Sequence, residues 1–336
     1  MQKRNLGNTG LEVSVIGLGG IPIQRFNQDI ANEVIDECVK QGVNFIDSAR
    51  GYGASEELLG NALIGRRDQF YLATKSPAKT KEAMAEEIEK SLKAFQTDYI
   101  DVYQCHFIKD LEQLSMITGE GGAYEALLEA KKAGKIGHIG ATAHNKDVLL
   151  KAIESGLWET IQFPYNFVEI QGLDLFKRAH ELGIGILVMK PLAGGAIENV
   201  NLSLQFILNN DHITVTIPGM ESKEQVIQNA AAGKDIRPLT AEQIEFIDSF
   251  RVKMGNNFCR RCGYCGPCPE GIDIPSMFSL DAYLTRYDLK DWAISRYMAL
   301  PVTAGSCTKC GACEPKCPYD LEIRSMLEEV AARFGK

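Results

Sequence analysis

Eight short β-rich apolar runs, each followed by a stretch of helical periodicity, restrict what the first 240 residues of this chain can fold into. The runs are VSVIGLG from Val13, VNFIDSA from Val43, FYLATKS from Phe70, YIDVYQCHF from Tyr99, IGHIGAT from Ile136, TIQFPYN from Thr160, IGILVMKP from Ile184 and ITVTIPG from Ile213. A parallel strand is covered on both faces and reaches its neighbour only through a crossover, so this alternation reads as β/α units. The crossovers QDIANEVIDECVKQG, KEAMAEEIEKSLKAFQ and LDLFKRAHELG repeat apolar residues at spacings of three and four, and two of them end on Gly. Eight such pairs suit a closed α/β barrel, the (β/α)8 TIM barrel, which typically takes about 250 residues. An open doubly wound sheet is the alternative. GLGG at residues 17–20 lacks the third glycine and the acidic residue of a dinucleotide-binding turn and reads as a tight turn.

After the eighth pair, TAEQIEFIDSFRVKMG from Thr240 reads as a closing helix, and the composition shifts near Gly255 to a cysteine-rich tail. The expected domains are a barrel over 1–255 and a small, mainly helical domain over 256–336. The net charge of −8 gives no basic face for nucleic acid or an anionic membrane. Small molecules or a protein are the expected partners. No run of 18 apolar residues and no secretory leader stands in the sequence, so a cytoplasmic location is expected.

Barrel chemistry sits at the C-terminal ends of strands. There the sequence puts Asp47, Lys75 and His106, with Tyr52 five residues beyond Asp47. Singly each has a bland role: a helix cap, a solvated lysine, a packed ring, a local hydrogen bond. Together they form a set suited to carbonyl reduction. A phenol with an ordinary pKa near 10 needs a nearby cation to exchange its proton near neutrality. Lys75 supplies the cation, Asp47 pairs with it, and His106 orients a carbonyl oxygen.

NFIDSARGYGASEELLG, ATKS and DYIDVYQCH, in that order, resemble the signature segments of the aldo-keto reductase family, and the resemblance runs over roughly residues 3–250. It implies an oxidoreductase using NADPH, with Tyr52 as general acid, Lys75 and Asp47 tuning it, and His106 positioning a carbonyl or alcohol substrate. It also implies that Thr142, Gln162 and Asn166 hold the nicotinamide carboxamide. IPGMESKEQVIQN resembles the adenosine-phosphate loop, with Ser222, Gln225 and Asn229 at the start of the eighth helix, where a helix N-terminus suits a phosphate. Lys223 is the obvious cation there, so NADPH is preferred only weakly over NADH. Met189 and Lys190 occupy the region where many family members stack an aromatic ring on the nicotinamide. Substrate choice is expected from loops such as FIKDLEQLSMITGEGG.

Eight of the ten cysteines lie between Cys259 and Cys317. Cys38 and Cys105, in a helical and a strand pattern, are expected to pack as small apolar side chains. Cys307, Cys310, Cys313 and Cys317, followed by Pro318, have the bacterial ferredoxin spacing for a 4Fe-4S cluster. Structural zinc is the alternative. Cys259, Cys262, Cys265 and Cys268, followed by Pro269, have two residues in the last gap where the pattern has three. In two-cluster ferredoxins the fourth cysteine serves the other cluster. By that analogy Cys259, Cys262 and Cys265 group with Cys317, and Cys307, Cys310 and Cys313 with Cys268. Two 4Fe-4S clusters are expected, with one as the alternative. Residues 272–298 read as two helices that pack on the barrel. The whole chain resembles the subgroup of aldo-keto reductases with a C-terminal ferredoxin-type region.

A nicotinamide delivers two electrons as hydride, whereas each cluster passes one. The barrel is therefore expected to act as the enzyme, with the clusters serving stability or regulation. The alternative is an electron-transfer protein whose clusters serve a ferredoxin-like redox partner while the barrel acts as a docking or sensing scaffold.

Overall fold

The structure, a computed structural model, describes residues 1–254, 258–287, 289–317 and 319–335. The chain forms two compact units: Met1–Leu192 with Asn199–Leu239, and Ala193–Glu198 with Thr240–Lys336. The expected domain boundary at 255 and 256 lies outside the described residues, as does Pro318.

In the first unit a hairpin of β1 (Lys3–Asn5) and β2 (Glu12–Ser14) precedes eight parallel strands. These are β3 (Leu18–Gly19), β4 (Phe45–Asp47), β5 (Tyr71–Ser76), β6 (Ile100–Cys105), β7 (Ile136–Thr142), β8 (Thr160–Pro164), β9 (Gly185–Met189) and β10 (Val215–Thr216). Each pairs with the next in chain order. Bridges from Ile16 to Thr216 and from Gly19 to Gly219 join the first strand to the last, so the sheet closes into a TIM barrel. All eight apolar runs contain a barrel strand. The hairpin was not foreseen, because Lys3–Asn5 is largely exposed and carries no apolar alternation.

Around the sheet lie α1 (Gln28–Gln41), α2 (Ser55–Ala62), α3 (Lys81–Phe95), α4 (Leu111–Thr118), α5 (Ala123–Lys132), α6 (Lys146–Ile153), α7 (Leu173–Glu181), α8 (Val200–Leu208) and α9 (Lys223–Lys234). Local chemistry sets their ends. The Asn27 side chain accepts from Ile30 N to start α1, and Gly42 at φ 76° ends it. Thr80 caps α3 in the same way from Ala83 N. Apolar faces of these helices fill the layer outside the sheet, where Val34, Ile35, Ile88 and Leu149 are fully or almost fully buried. Cys38 and Cys105 belong to that layer, and burial pushes both thiols up to about 12, so they pack as apolar groups. Inside the barrel Leu6, Val13, Phe45, Ala73, Val102, Leu187 and Val215 form a separate core, with Leu6 and Val13 contributed by the hairpin segment.

Among the described residues the second unit contains the α-helices α10 (Ala241–Met254), α11 (Ile274–Thr285), α12 (Lys290–Met298) and α13 (Ile323–Phe334). The pair expected within 272–298 is α11 and α12. Met277, Ala293, Tyr297, Leu327 and Val330 form its core, with the Tyr297 ring stacked on Phe334 at 4.0 Å. The Tyr297 hydroxyl accepts from Ala304 N at 3.0 Å, which satisfies its polar end inside the core. Among the described residues no helix is long and apolar enough to cross a membrane.

The segment GLGG is not the simple tight turn expected. Leu18 and Gly19 form β3, and the glycines make the seam of the barrel: Gly19 N donates to Pro218 O at 2.9 Å and Gly20 N to Asp47 O at 2.7 Å. A Cβ on Gly19 would stand 2.6 Å from Ile217 O, which is backbone and has no room to yield. Gly19→Ala is therefore expected to destabilise the fold by roughly 1–3 kcal/mol, the usual cost of overpacking. A denaturant midpoint equal to that of the native chain would contradict this account of the seam.

Candidate functional site

The barrel mouth is built around a buried ion pair. Asp47 ends β4 and Lys75 lies near the end of β5, next to it in the sheet. Lys75 Nζ donates to Asp47 Oδ2 at 2.5 Å and to Ser48 O at 2.7 Å, and the two residues are 1% and 2% exposed. Gln104 Nε2 donates to Asp47 Oδ1 at 3.2 Å. Burial pulls the Lys75 ammonium below the ordinary lysine value, opposed by the charges of Asp47 and Glu56. Burial likewise raises the Asp47 carboxyl against the pull of Lys75, Gln104 and Gln162.

The Tyr52 ring centre lies 5.0 Å from Lys75 Nζ. His106, just past β6, meets the same ring edge-on at 5.9 Å between centroids and 89° between planes. The four residues expected from the sequence thus stand together. Both rings are only partly buried, while the ion pair beside them is closed off from solvent.

A second buried carboxylate was not foreseen. Glu56, in the first turn of α2, is 2% exposed and accepts from Thr74 Oγ1 at 2.6 Å and from Ser91 Oγ at 3.0 Å. Its other oxygen pairs with Arg50, whose Nε donates to Glu87 at 3.0 Å. Arg50 N also donates to Lys75 O at 3.0 Å, and Ser55 Oγ donates to Gly20 O at 2.8 Å. The loop is therefore tied to β5 at Arg50, two residues before Tyr52, and to the seam at Ser55, three residues after it. SEELLG reads as an ordinary acidic helix start, so the only available signal was an Arg six residues before an acid.

The cofactor residues divide. Gln162 and Gln104 each hold a buried Oε1 that has no hydrogen-bond partner among the described residues. Orphaned acceptors of this kind suit an amide donor from a ligand. Thr142 Oγ1 accepts from Phe107 N at 2.7 Å and retains its own proton to donate. Asn166 is spent within its loop: Oδ1 accepts from Val168 N and Glu169 N, and Nδ2 donates to Glu169 Oε2 and Lys190 O. Lys190 follows β9 with a left-handed φ of 56° and Phe107 follows β6 at 58°, strained backbone of the sort that gathers at functional sites. At α9 the Ser222 side chain accepts from Gln225 N, and Gln225 Oε1 accepts from Glu221 N at 2.8 Å. Ser222 and Gln225 thus cap the helix, Lys223 is its first residue, and Asn229 is buried along it. Arg25, paired with Glu221, adds a cation at this end that the sequence reading missed.

In the second unit the eight cysteines line two cavities. Cys259, Cys262, Cys265 and Cys317 line one. Cys268, Cys307, Cys310 and Cys313 line the other. This is the crossed grouping expected by analogy with two-cluster ferredoxins, despite the shortened gap before Cys268. Among the described residues no three His, Cys, Asp or Glu side chains converge as on one metal ion; the thiols stand around cavity walls. Burial pushes the Cys259 thiol up to about 11 and Cys265 to about 12, so binding iron as thiolate must displace protons.

The family model for the aldo/keto reductases matches residues 15–203, and that for a 4Fe-4S dicluster domain matches residues 258–322. The chain belongs to the aldo/keto reductase family and carries a 4Fe-4S domain at its C-terminal end. It is 28% identical over 294 residues to L-galactose dehydrogenase of Arabidopsis thaliana, covering 72% of this chain and 91% of that protein. It is 34% identical over 188 residues to the aldo-keto reductase YhdN of Bacillus subtilis, covering 50% of this chain and 55% of that one. Among solved structures, the holo form of an aldo-keto reductase from Bacillus halodurans superposes with a TM-score of 0.65 at 26% identity. The match covers 74% of this chain and 96% of that one.

Removing the charge of Glu56 strands Arg50 in a partly buried site. Glu56→Gln is expected to cost roughly 2–3 kcal/mol, below the 3–5 kcal/mol of breaking a fully buried pair because Arg50 retains Glu87. Equilibrium unfolding measures this, and an unchanged midpoint would mean that the network does not secure the Tyr52 loop.

Proposed function

We propose that this chain is an NADPH-dependent carbonyl reductase, or alcohol dehydrogenase in reverse, acting at Tyr52, Lys75, Asp47 and His106. The observation that carries this reading is the Lys75–Asp47 pair buried beneath the rings of Tyr52 and His106. NADPH, when bound, supplies the hydride. Tyr52 then gives its proton to the carbonyl oxygen, and Lys75 stabilises the phenolate left behind. Asp47 keeps Lys75 charged in its dry site, since an unpaired ammonium there would lose its proton. His106 orients the carbonyl against Tyr52. The free Oε1 of Gln162 and the Thr142 hydroxyl suit the nicotinamide carboxamide, while Asn166 shapes the loop that bears Glu169 and Lys190. Arg25, Lys223 and the N-terminus of α9 suit the adenosine phosphate, favouring NADPH over NADH.

The 4Fe-4S domain is read as holding two clusters, one in each thiol cavity, with the barrel and this domain as separate functional parts. The exposed Cys310 favours, as a second reading, electron exchange with a redox protein at that surface.

Tyr52→Phe separates these readings. With an aromatic aldehyde and NADPH, loss of the general acid is expected to lower kcat by about 10²–10⁴-fold while nucleotide binding and cluster absorption persist. Turnover equal to that of the native enzyme would remove Tyr52 from the mechanism.

A further inference from the structure

The Asp47–Lys75 pair has a third neighbour that belongs neither to the tetrad nor to the carboxamide set. Gln104 is fully buried on β6, aligned with Lys75 of β5 on one side and with Gly140 of β7 on the other. Side chains alternate faces along a strand, so Gln104 shares the inner face with Val102 of the barrel core. Its stem runs past Gly140, where a Cβ would stand 2.9 Å from Gln104 Cγ. The glycine makes the room in which this side chain reaches Asp47 at the end of β4.

The direction of the amide is fixed by its partner. A carboxylate only accepts, so Nε2 faces Asp47 Oδ1, at 3.2 Å, and Oε1 faces away. Each Asp47 oxygen is thus engaged from a different strand, Oδ2 by Lys75 on β5 and Oδ1 by Gln104 on β6. Gln104 Oε1 has no hydrogen-bond partner among the described residues. Burying an amide with one end unsatisfied costs free energy that an apolar side chain does not. Fold stability alone gives little reason for an amide at this position, whereas the bond to Asp47 does.

The charged and titratable groups around the pair come from several elements. Lys75 lies on β5, Tyr52 on the loop after β4, His106 just past β6, and Glu56, itself paired with Arg50, on α2. Burial raises the Asp47 carboxyl, and Lys75, Gln104 and Gln162 oppose that rise. A hydrogen bond to the ionised form lowers a carboxyl pKa, so losing one raises it.

We propose that Gln104 is a positioning residue of the reaction, which keeps Asp47 ionised and turned towards Lys75 and thereby keeps the lysine charged beneath Tyr52. This rests on the carbonyl-reductase reading given above and adds a residue to it. Gln104 acts through Asp47.

The test is the pH profile of kcat for reduction of an aromatic aldehyde by NADPH, run on the full, cluster-replete chain, with NADPH affinity and the unfolding midpoint measured alongside. Gln104→Met keeps the length of the side chain and removes the donor. The Asp47 carboxyl should rise, moving the acid limb of kcat up by about one pH unit, the size of one hydrogen bond to a charged group. On that limb kcat falls about tenfold below native while NADPH affinity is kept. Gln104→Glu instead sets two carboxyl groups together, which share a proton. While that proton is held the new carboxyl can donate to Asp47, so activity should persist at low pH and fall as the pH rises through loss of the proton. An acid limb unmoved by Gln104→Met overturns the proposal, whether the unfolding midpoint falls, which leaves a structural role only, or NADPH affinity falls, which makes Oε1 a nucleotide contact. If the methionine variant does not fold, a native profile in Gln104→Glu overturns it. A native chain that binds NADPH but reduces no aldehyde at any pH overturns the carbonyl-reductase reading and this proposal with it. Native turnover with unmoved limbs in the variants overturns the proposal alone.

Discussion

Holding an ammonium group inside the barrel mouth is the constraint around which the first unit is arranged. Lys75 is buried almost completely, and desolvation pulls its ammonium below the ordinary lysine value. Asp47 offsets that penalty by direct contact, and Gln104 holds the carboxylate in place. The pair requires β4 and β5 to be neighbours in fixed register, which depends on the sheet closing at the Gly19 seam. It also requires the following loop to come back over it. Ser48 O accepts from Lys75, Arg50 ties the loop to β5, and Glu56 anchors Arg50, so the ring of Tyr52 is presented to the cation by a chain of buried polar contacts. Within this network the Oε1 of Gln104 alone is left over among the described polar atoms, on the side where a ligand amide could meet it.

The second unit solves a different problem. A domain this small has little apolar core, and its helices α11, α12 and α13 pack through one cluster of side chains around Tyr297 and Phe334. The cysteines interleave with that core: Cys265 and Cys313 belong to it, and Ile274, at the start of α11, lines both cavities. Because each cavity draws thiols from both cysteine runs, a group bound in either would cross-link segments some fifty residues apart in the chain. Metal binding of that kind contributes directly to folding free energy.

Much of this was legible in the sequence. Buried parallel strands are short, continuously apolar and β-branched, so all eight runs stood out, and the tetrad followed from asking what sits at their ends. The crossed thiol grouping could be read because its spacing repeats a known pattern, even with one residue missing before Cys268. What escaped detection was long-range. Gly19 and Gly20 looked like a turn because their reason for being glycine is the backbone of Ile217 and Asp47, far along the chain. Glu56 drew no reading because its partners, Thr74 and Ser91, come from other elements. The engagement of Asn166 by its own loop likewise leaves no trace in composition.

The central claim is that the barrel reduces carbonyls by itself, with hydride that does not pass through the iron–sulfur domain. Anaerobic titration of the cluster-replete protein with NADPH, followed by visible absorption and electron paramagnetic resonance, tests it most directly. The account predicts that NADPH binds and reduces an added aldehyde while the clusters stay oxidised. Bleaching of the clusters by NADPH at the rate of turnover would contradict it and would make the two halves one electron-transfer chain.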